Sequence, residues 1–298
     1  MYNEITSNKR KSILLILVFF LLIAGVGWWA SIYFESGPGI IVIAVALATG
    51  LSLASYYQGD KIALGVSKAQ PLKKEDNPYV YRLVENLCIA TGLPIPKIYI
   101  INDPALNAFA TGRDPEHASI ALTTGIINAL ENEELEGVIA HELSHVKNYD
   151  IRFMMVVIVC VGTIALIADF TLRSFFFRGM GGRSSNNRGG QGVLILIGLA
   201  LAILAPLAAK LIQLAISRKR EFLADASGAL ATRYPEGLAR ALEKISASSA
   251  QLKTANRATA HLYIANPFKS SKVKKRASAL FSTHPPIAER VKRLRNRI

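Results

Sequence analysis

"VIAHELSHVKNYD", Val138 to Asp150, sets a histidine, a glutamate and a second histidine within little more than one helical turn. Positions i and i+4 of a helix share a face, so His141 and His145 offer two imidazole nitrogens to one metal ion, and Glu142 projects beside them. Metal-assisted hydrolysis uses this arrangement, with the glutamate as proton acceptor. Taken alone, the pattern also suits two hydrogen-bonded histidines on an ordinary helix, and a third ligand decides between the readings. The longer stretch "ENEELEGVIAHELSHV" predicts a helix that opens with acidic residues, which the positive end of its dipole favours. Val138, Ile139, Leu143 and Val146 form its apolar face.

A few residues further on the chain becomes "FMMVVIVCVGTIALIA", which belongs to the third of four apolar blocks: Ser12 to Tyr33, Ile40 to Tyr57, Phe153 to Ala168 and Val193 to Ala209. A bilayer-spanning helix needs about 20 such residues. With 51% hydrophobic residues, the 298-residue chain reads as a membrane protein with four spans. The first block follows Lys9, Arg10 and Lys11 and is too long for a cleaved leader, so it reads as a retained anchor. It pairs with the second as a hairpin around Gly37, Pro38 and Gly39. The last two blocks are short and flank "RSFFFRGMGGRSSNNRGGQG", whose composition predicts a flexible loop.

Charge orients the spans. Lysines crowd the N terminus and the segment after block two, whereas the first connecting loop has neither Lys nor Arg, so both termini and the polar domain are expected in the cytoplasm. Arg173, Arg178, Arg183 and Arg188 in the third loop run against that bias, and a shallow hairpin that does not cross is the alternative for blocks three and four. The net charge of +14 gathers at the C-terminal cluster and beside the spans, where anionic lipid headgroups account for it. With no reading motif beside the charge, no nucleic-acid partner is expected. Cys88 and Cys160 are too few for a disulfide framework or a thiolate metal site, which fits a reducing cytosol. Asp169 and Lys210, at the edges of the short blocks, read as snorkelling groups, with an ion pathway as the alternative.

Four segments follow: residues 1–59, a transmembrane hairpin; 60–150, the first part of a polar domain, carrying the HELSH helix; 151–216, a second hairpin; and 217–298, the rest of the polar domain. "NPYVYRLVENLCIATGL" predicts a helix, with Tyr79, Leu83, Leu87 and Ile89 near helical spacing and a stop at Gly92. "KIYII" and "ASIALTTG" predict strands of a small sheet. "KLIQLAISRKREFLADASGAL" continues block four without Gly or Pro until Gly228, so one helix is expected to leave the membrane and enter the domain, kinked at Pro206.

That helix offers a third ligand. Glu221 and Asp225 lie one turn apart on one face, a spacing that lets the first bind metal while the second orients a ligand histidine through its other ring nitrogen. His145 stands about 12 Å of helix from the start of block three and Glu221 about 16 Å from Lys210, at 1.5 Å per residue. Antiparallel neighbours would bring the two halves to similar heights above one membrane face.

"NAFATG" at Asn107, "VIAHELSH", "REFLADA", "HLYIANPF" and "STHPPIAER" occur in an order, over nearly the whole chain, that resembles the HtpX-type membrane zinc metalloproteases, relatives of the CAAX prenyl endopeptidases. The resemblance implies an α+β architecture: a mainly helical, zincin-like metalloprotease domain with a small β-sheet, interrupted by a membrane hairpin. It implies one Zn2+ held by His141, His145 and Glu221, a catalytic Glu142 and a supporting Asp225. Asn107, Ala108 and Phe109 would form an edge strand onto which a peptide substrate adds, with a loop burying Phe109 as the alternative. His284 is the candidate for a further transition-state donor, with a packing role for "THPP" as the alternative. His117 and His261 have no compelling partner spacing and read as surface or hydrogen-bonded histidines.

The implied activity is endoproteolysis of misfolded or damaged membrane proteins at the cytoplasmic face of the bacterial inner membrane. The resemblance also implies cooperation with an ATP-driven membrane protease; the chain has no phosphate-binding Gly-rich lysine loop of its own, so unfolding power would come from elsewhere. The rival enzyme, a peptidase trimming prenylated tails, needs a chamber that four spans look too few to build. A rival of another class, a membrane scaffold or transporter with structural zinc, would have no use for Glu142.

Overall fold

The computed structural model describes residues 2–33, 39–164, 218–253, 262–265 and 285–296. Two long helices, α1 (Tyr2–Tyr33) and α2 (Gly39–Val66), pack against each other at the start of the chain. α3 (Pro78–Thr91) is delimited by its own residues. The Asn77 side chain accepts the Val80 N–H, Pro78 occupies the first turn, and Gly92 takes the left-handed conformation that ends the helix where the sequence predicts. Its buried stripe is Val80, Leu83, Val84, Leu87 and Cys88. Two expected members of the apolar face are displaced from it, since Tyr79 and Ile89 are exposed; positions 80, 83, 84 and 87 complete the helical repeat without them.

A four-stranded sheet follows, in the order β1 (Gln70–Pro71), β2 (Lys97–Ile101), β4 (Ala118–Thr123) and β3 (Ala108–Gly112). β2 and β4 run parallel, while β1 and β3 are antiparallel to their neighbours. Both predicted strands are present, and β3 forms one edge. Side chains alternate between two cores: Ala108, Ala110, Ile120 and Leu122 face the helical domain, whereas Phe109 and Ala121 face the end of α2 and residues Met154 and Ile158. Short α4 (Thr124–Ala129) leads into α5 (Asn132–Lys147).

The Glu131 N–H donates to the Glu134 carboxylate at the head of α5, and Glu134, itself buried, receives Lys244 at 2.7 Å. Val138, Ile139, Leu143 and Val146 are buried as expected. The opposite face is buried as well, by α7 (Arg218–Thr232) and α8 (Pro235–Ala247), with α9 (Ile287–Arg295) packed on those two, so residues from both halves of the polar sequence share one core. Gly137 permits the close approach of α8: a Cβ there would lie 2.7 Å from the Leu238 backbone nitrogen.

After a turn in which Tyr149 adopts φ +59°, residues 150–164 form α6. Leu15, Phe19 and Ile23 of α1 pack on Phe153, Val156, Val157 and Cys160 of α6. Among the described residues no helix is long and apolar enough to cross a membrane, so the expected count of four spans is not reproduced there. α1 gives its first ten residues to mostly polar side chains, and the sequence from 165 to 217, with Pro206, the third loop, Asp169 and Lys210, lies outside the described residues.

A candidate metal centre between two helices

His141 and His145 stand one turn apart on α5 with their Nε2 atoms 3.3 Å apart. Glu221, from the first turn of α7, places Oε2 3.8 Å from His141 Nε2 and Oε1 3.5 Å from His145 Nε2. All three side chains are buried, and their ligating atoms converge within 4.8 Å of one another. Two imidazole nitrogens cannot face each other at this distance with lone pairs alone; a proton or a cation must lie between them. The distance between the two imidazole nitrogens matches the edge, about 3.3 Å, of a tetrahedron that four ligands at 2.0–2.1 Å from zinc define, and the carboxylate oxygens stand somewhat further out. Two imidazoles and a carboxylate are a zinc donor set.

Each histidine is held from behind by a carboxylate. Asp225, one turn after Glu221, lies 3.0 Å from His141 Nδ1, and Asp150 lies 2.9 Å from His145 Nδ1. Such bonds fix the ring tautomer and leave Nε2 free to ligate. The Asp225 carboxylate is gripped by both arms of Arg290, at 2.9 Å from Nε and 2.6 Å from Nη2, while Nη1 donates to the Ile264 carbonyl at 3.2 Å and stands 3.6 Å from Glu221. Arg290 is fully buried. Asp150 receives the Asn8 amide at 2.7 Å, with Arg220 3.8 Å away.

Glu142 is buried beside this group; its carboxyl accepts the Ala110 N–H of β3, and its Oε1 has no hydrogen-bond partner. Burial pushes it up to about 7, with the Glu221 carboxylate adding to the effect and the charge of His145 opposing it. Burial holds His141 down at about 4 against the pull of Asp225. His145 goes the other way: burial resists its protonation, yet the bond to Asp150 and the nearby Glu221 raise it to about 9. Burial likewise resists ionisation of Asp225, but Arg290 holds it at about 2. Glu142, Asp150, Glu221 and Asp225 crowd around the two histidines with two guanidinium groups, Arg220 and Arg290, an excess of acidic groups that suits a bound cation.

At the sheet edge, Asn107 and Ala108 are already paired. The Ile264 N–H donates to the Ala108 carbonyl at 2.9 Å, and the Asn107 amide donates to Ala265 at 3.1 Å. Phe109 is buried in a strand, not a loop, edge-on to Tyr263 with ring centres 5.1 Å apart. His117 bonds Asp114 and Arg113 at the surface; with Asp114 and Glu116 it forms a second group whose ligand atoms converge within 4.8 Å, but that group is exposed, whereas the His141 group is buried. His261 and His284 lie outside the described residues.

Sequence reading missed Asp150, Arg290 and Asn8. Asp150 ends the very stretch that carries the histidines, and Arg290 ends "STHPPIAER", but neither has a helical spacing to its partner.

The model of peptidase family M48 matches residues 74–298. The chain belongs to that family, and is a metalloprotease. Its relatives narrow the class to the HtpX type: it is 45% identical to a "Protease HtpX homolog" of Dictyoglomus turgidum, over 99% of this chain and 94% of that one. Similar proteins of Tropheryma whipplei (44%, over 99% and 98%) and Streptococcus uberis (42%, over 99% of each) carry the same description. The crystal structure of S. mikatae Ste24p shares the fold, with a TM-score of 0.51 and 23% identity over 99% of this chain and 67% of that one.

Proposed function

We propose that the chain is an integral membrane zinc endopeptidase. It hydrolyses peptide bonds of misfolded or damaged membrane proteins at the cytoplasmic face of the bacterial inner membrane. The observation that carries the chemistry is the buried convergence of His141, His145 and Glu221, with the unpartnered oxygen of Glu142 alongside. These three residues would hold one zinc ion, which when bound supplies Lewis acidity and makes a water molecule easier to deprotonate. Glu142 takes a proton from the attacking water and returns it to the departing amine as the C–N bond breaks. Asp225 and Asp150 keep the two imidazoles in the ligating tautomer through those steps. His284 is the proposed further donor to the oxygen of the tetrahedral intermediate.

β3 would receive the substrate as an added strand. Since Ile264 and Ala265 hold Asn107 and Ala108, a peptide adds beyond them, toward Ala110, whose N–H points at Glu142. The membrane reading draws on α1 and α2, which expose Leu14, Leu17, Leu21, Trp28, Ile43 and Leu47, each more than half accessible. An apolar surface of that extent is unstable in water and is covered by lipid. Lys9, Arg10 and Lys11 at the head of block one would meet anionic headgroups, and both termini would be cytoplasmic. An ATP-driven membrane protease is the proposed partner that supplies unfolding.

Detergent-purified wild type, Glu142→Gln and Glu221→Ala, compared for cleavage of unfolded casein and for zinc content, test this reading. Glu142→Gln should keep zinc and lose cleavage, and Glu221→Ala should lose both. Undiminished cleavage by Glu142→Gln would overturn the role of Glu142.

A further inference from the structure

Asn8 sits in the polar first turns of α1, more than 130 residues before the candidate metal ligands, yet it is 1% exposed. Its amide nitrogen donates to the Asn148 carbonyl at 2.9 Å and to Asp150 Oδ1 at 2.7 Å, so both N–H groups are spent on the turn that follows the HELSH helix. The other oxygen of the same carboxylate lies 2.9 Å from His145 Nδ1. A continuous path of two hydrogen bonds therefore runs from the amino-terminal helix to a ring whose Nε2 faces Glu221.

We propose that Asn8 is a positioning residue of the metal centre: it fixes the Asp150 carboxylate that orients His145, so that the amino-terminal helix completes the site as well as anchoring the chain. The inference rests on the metal reading given above. α1 does not need this amide to stay in place. Leu15, Phe19 and Ile23 already bind it to α6, and Lys9 lies 4.1 Å from the centre of the Tyr149 ring. Burying an amide costs free energy, and here Oδ1 has no partner among the described residues, so the cost is offset through the two N–H groups, one of which goes to the residue that sets the tautomer of a ligand. Without Asn8, Oδ1 of Asp150 keeps the ion pair to Arg220 at 3.8 Å but loses its hydrogen bond, and the carboxylate is held less firmly against the ring.

The test is zinc affinity of the detergent-purified full-length chain, measured by competition with a chromophoric chelator. It compares wild type, Asn8→Ala, Asn8→Leu, Asp150→Asn and the double variant Asn8→Leu with Asp150→Asn. Asn8→Leu keeps the branched shape and heavy-atom count without the donors, so a change it shares with Asn8→Ala does not come from the cavity that the shorter side chain leaves. Asp150→Asn, which removes the partner of a ligating histidine, should weaken zinc binding about 10- to 100-fold, and both single Asn8 variants should weaken it by a part of that loss that exceeds about twofold. In the Asp150→Asn background the Asn8 change should have little further effect, because the path is already broken. Affinity within twofold of wild type for both Asn8 variants would overturn the proposal, and so would losses that simply add in the double variant, which mark a mere fastening of α1. A wild type that holds no zinc would instead overturn the metal reading, and this proposal with it.

Discussion

Asp225 lies 3.0 Å from Nδ1 of His141, joining the two helices that carry the candidate ligands. The contact orients the ring and ties α7 to α5, so the site and the helical core depend on the same carboxylate. Arg290 in turn holds that carboxylate with two hydrogen bonds.

Arg290→Ala leaves Asp225 buried without the guanidinium that holds it. Breaking a buried pair from one side costs about 3–5 kcal/mol. Urea unfolding of the detergent-purified variant should show a loss of this size. Arg290→Lys recovers only part of it, because an ammonium cannot bond both oxygens in the planar fork. Unchanged stability of Arg290→Ala would contradict the pairing described.

Gly137→Ala places a methyl group 2.7 Å from the Leu238 backbone nitrogen, where no flexible side chain can yield. α8 must move away from α5, at a cost of about 1–3 kcal/mol typical of overpacking. The unfolding midpoint should fall while the secondary structure seen by circular dichroism stays.

Asn107→Ala removes the side-chain bonds to Ala265. Each bond contributes about 1 kcal/mol. Amide exchange at Ile264, whose N–H is held by Ala108, should speed up by about 30-fold, as local opening becomes about 2 kcal/mol easier. Exchange as slow as in wild type would show that Asn107 does not hold this segment to the sheet edge.

Removal of zinc by a chelator should lower stability, since a ligand held by the folded chain and not by the unfolded one stabilises the fold. By linkage, free zinc at 100 to 1,000 times its dissociation constant stabilises by about 2.7–4.1 kcal/mol. The effect should shrink in Glu221→Ala. Identical unfolding with and without chelator would mean that the folded chain binds no zinc.

How far the sequence discloses this centre depends on how local each signal is. His141 with His145, and Glu221 with Asp225, are legible because the helical period puts each pair on one face. The strands "KIYII" and "ASIALTTG" are legible from β-branched composition between turn residues. Asp150 meets His145 only because the chain reverses at Tyr149, in a left-handed conformation that no glycine announces. Arg290 and Asn8 reach their carboxylates across 65 and 142 residues, and spacing carries no trace of such contacts. Ile89 misleads for the opposite reason. It is apolar enough to join a buried stripe, but the stripe closes through Val80, Val84 and Cys88 instead.

X-ray absorption at the zinc edge of the purified full-length chain tests the central claim most directly. The account predicts one zinc per chain with a first shell of nitrogen and oxygen at about 2.0–2.1 Å, lost in Glu221→Ala. A sulfur shell at about 2.3 Å, which Cys88 or Cys160 would supply, or zinc retained in full by Glu221→Ala, would contradict it.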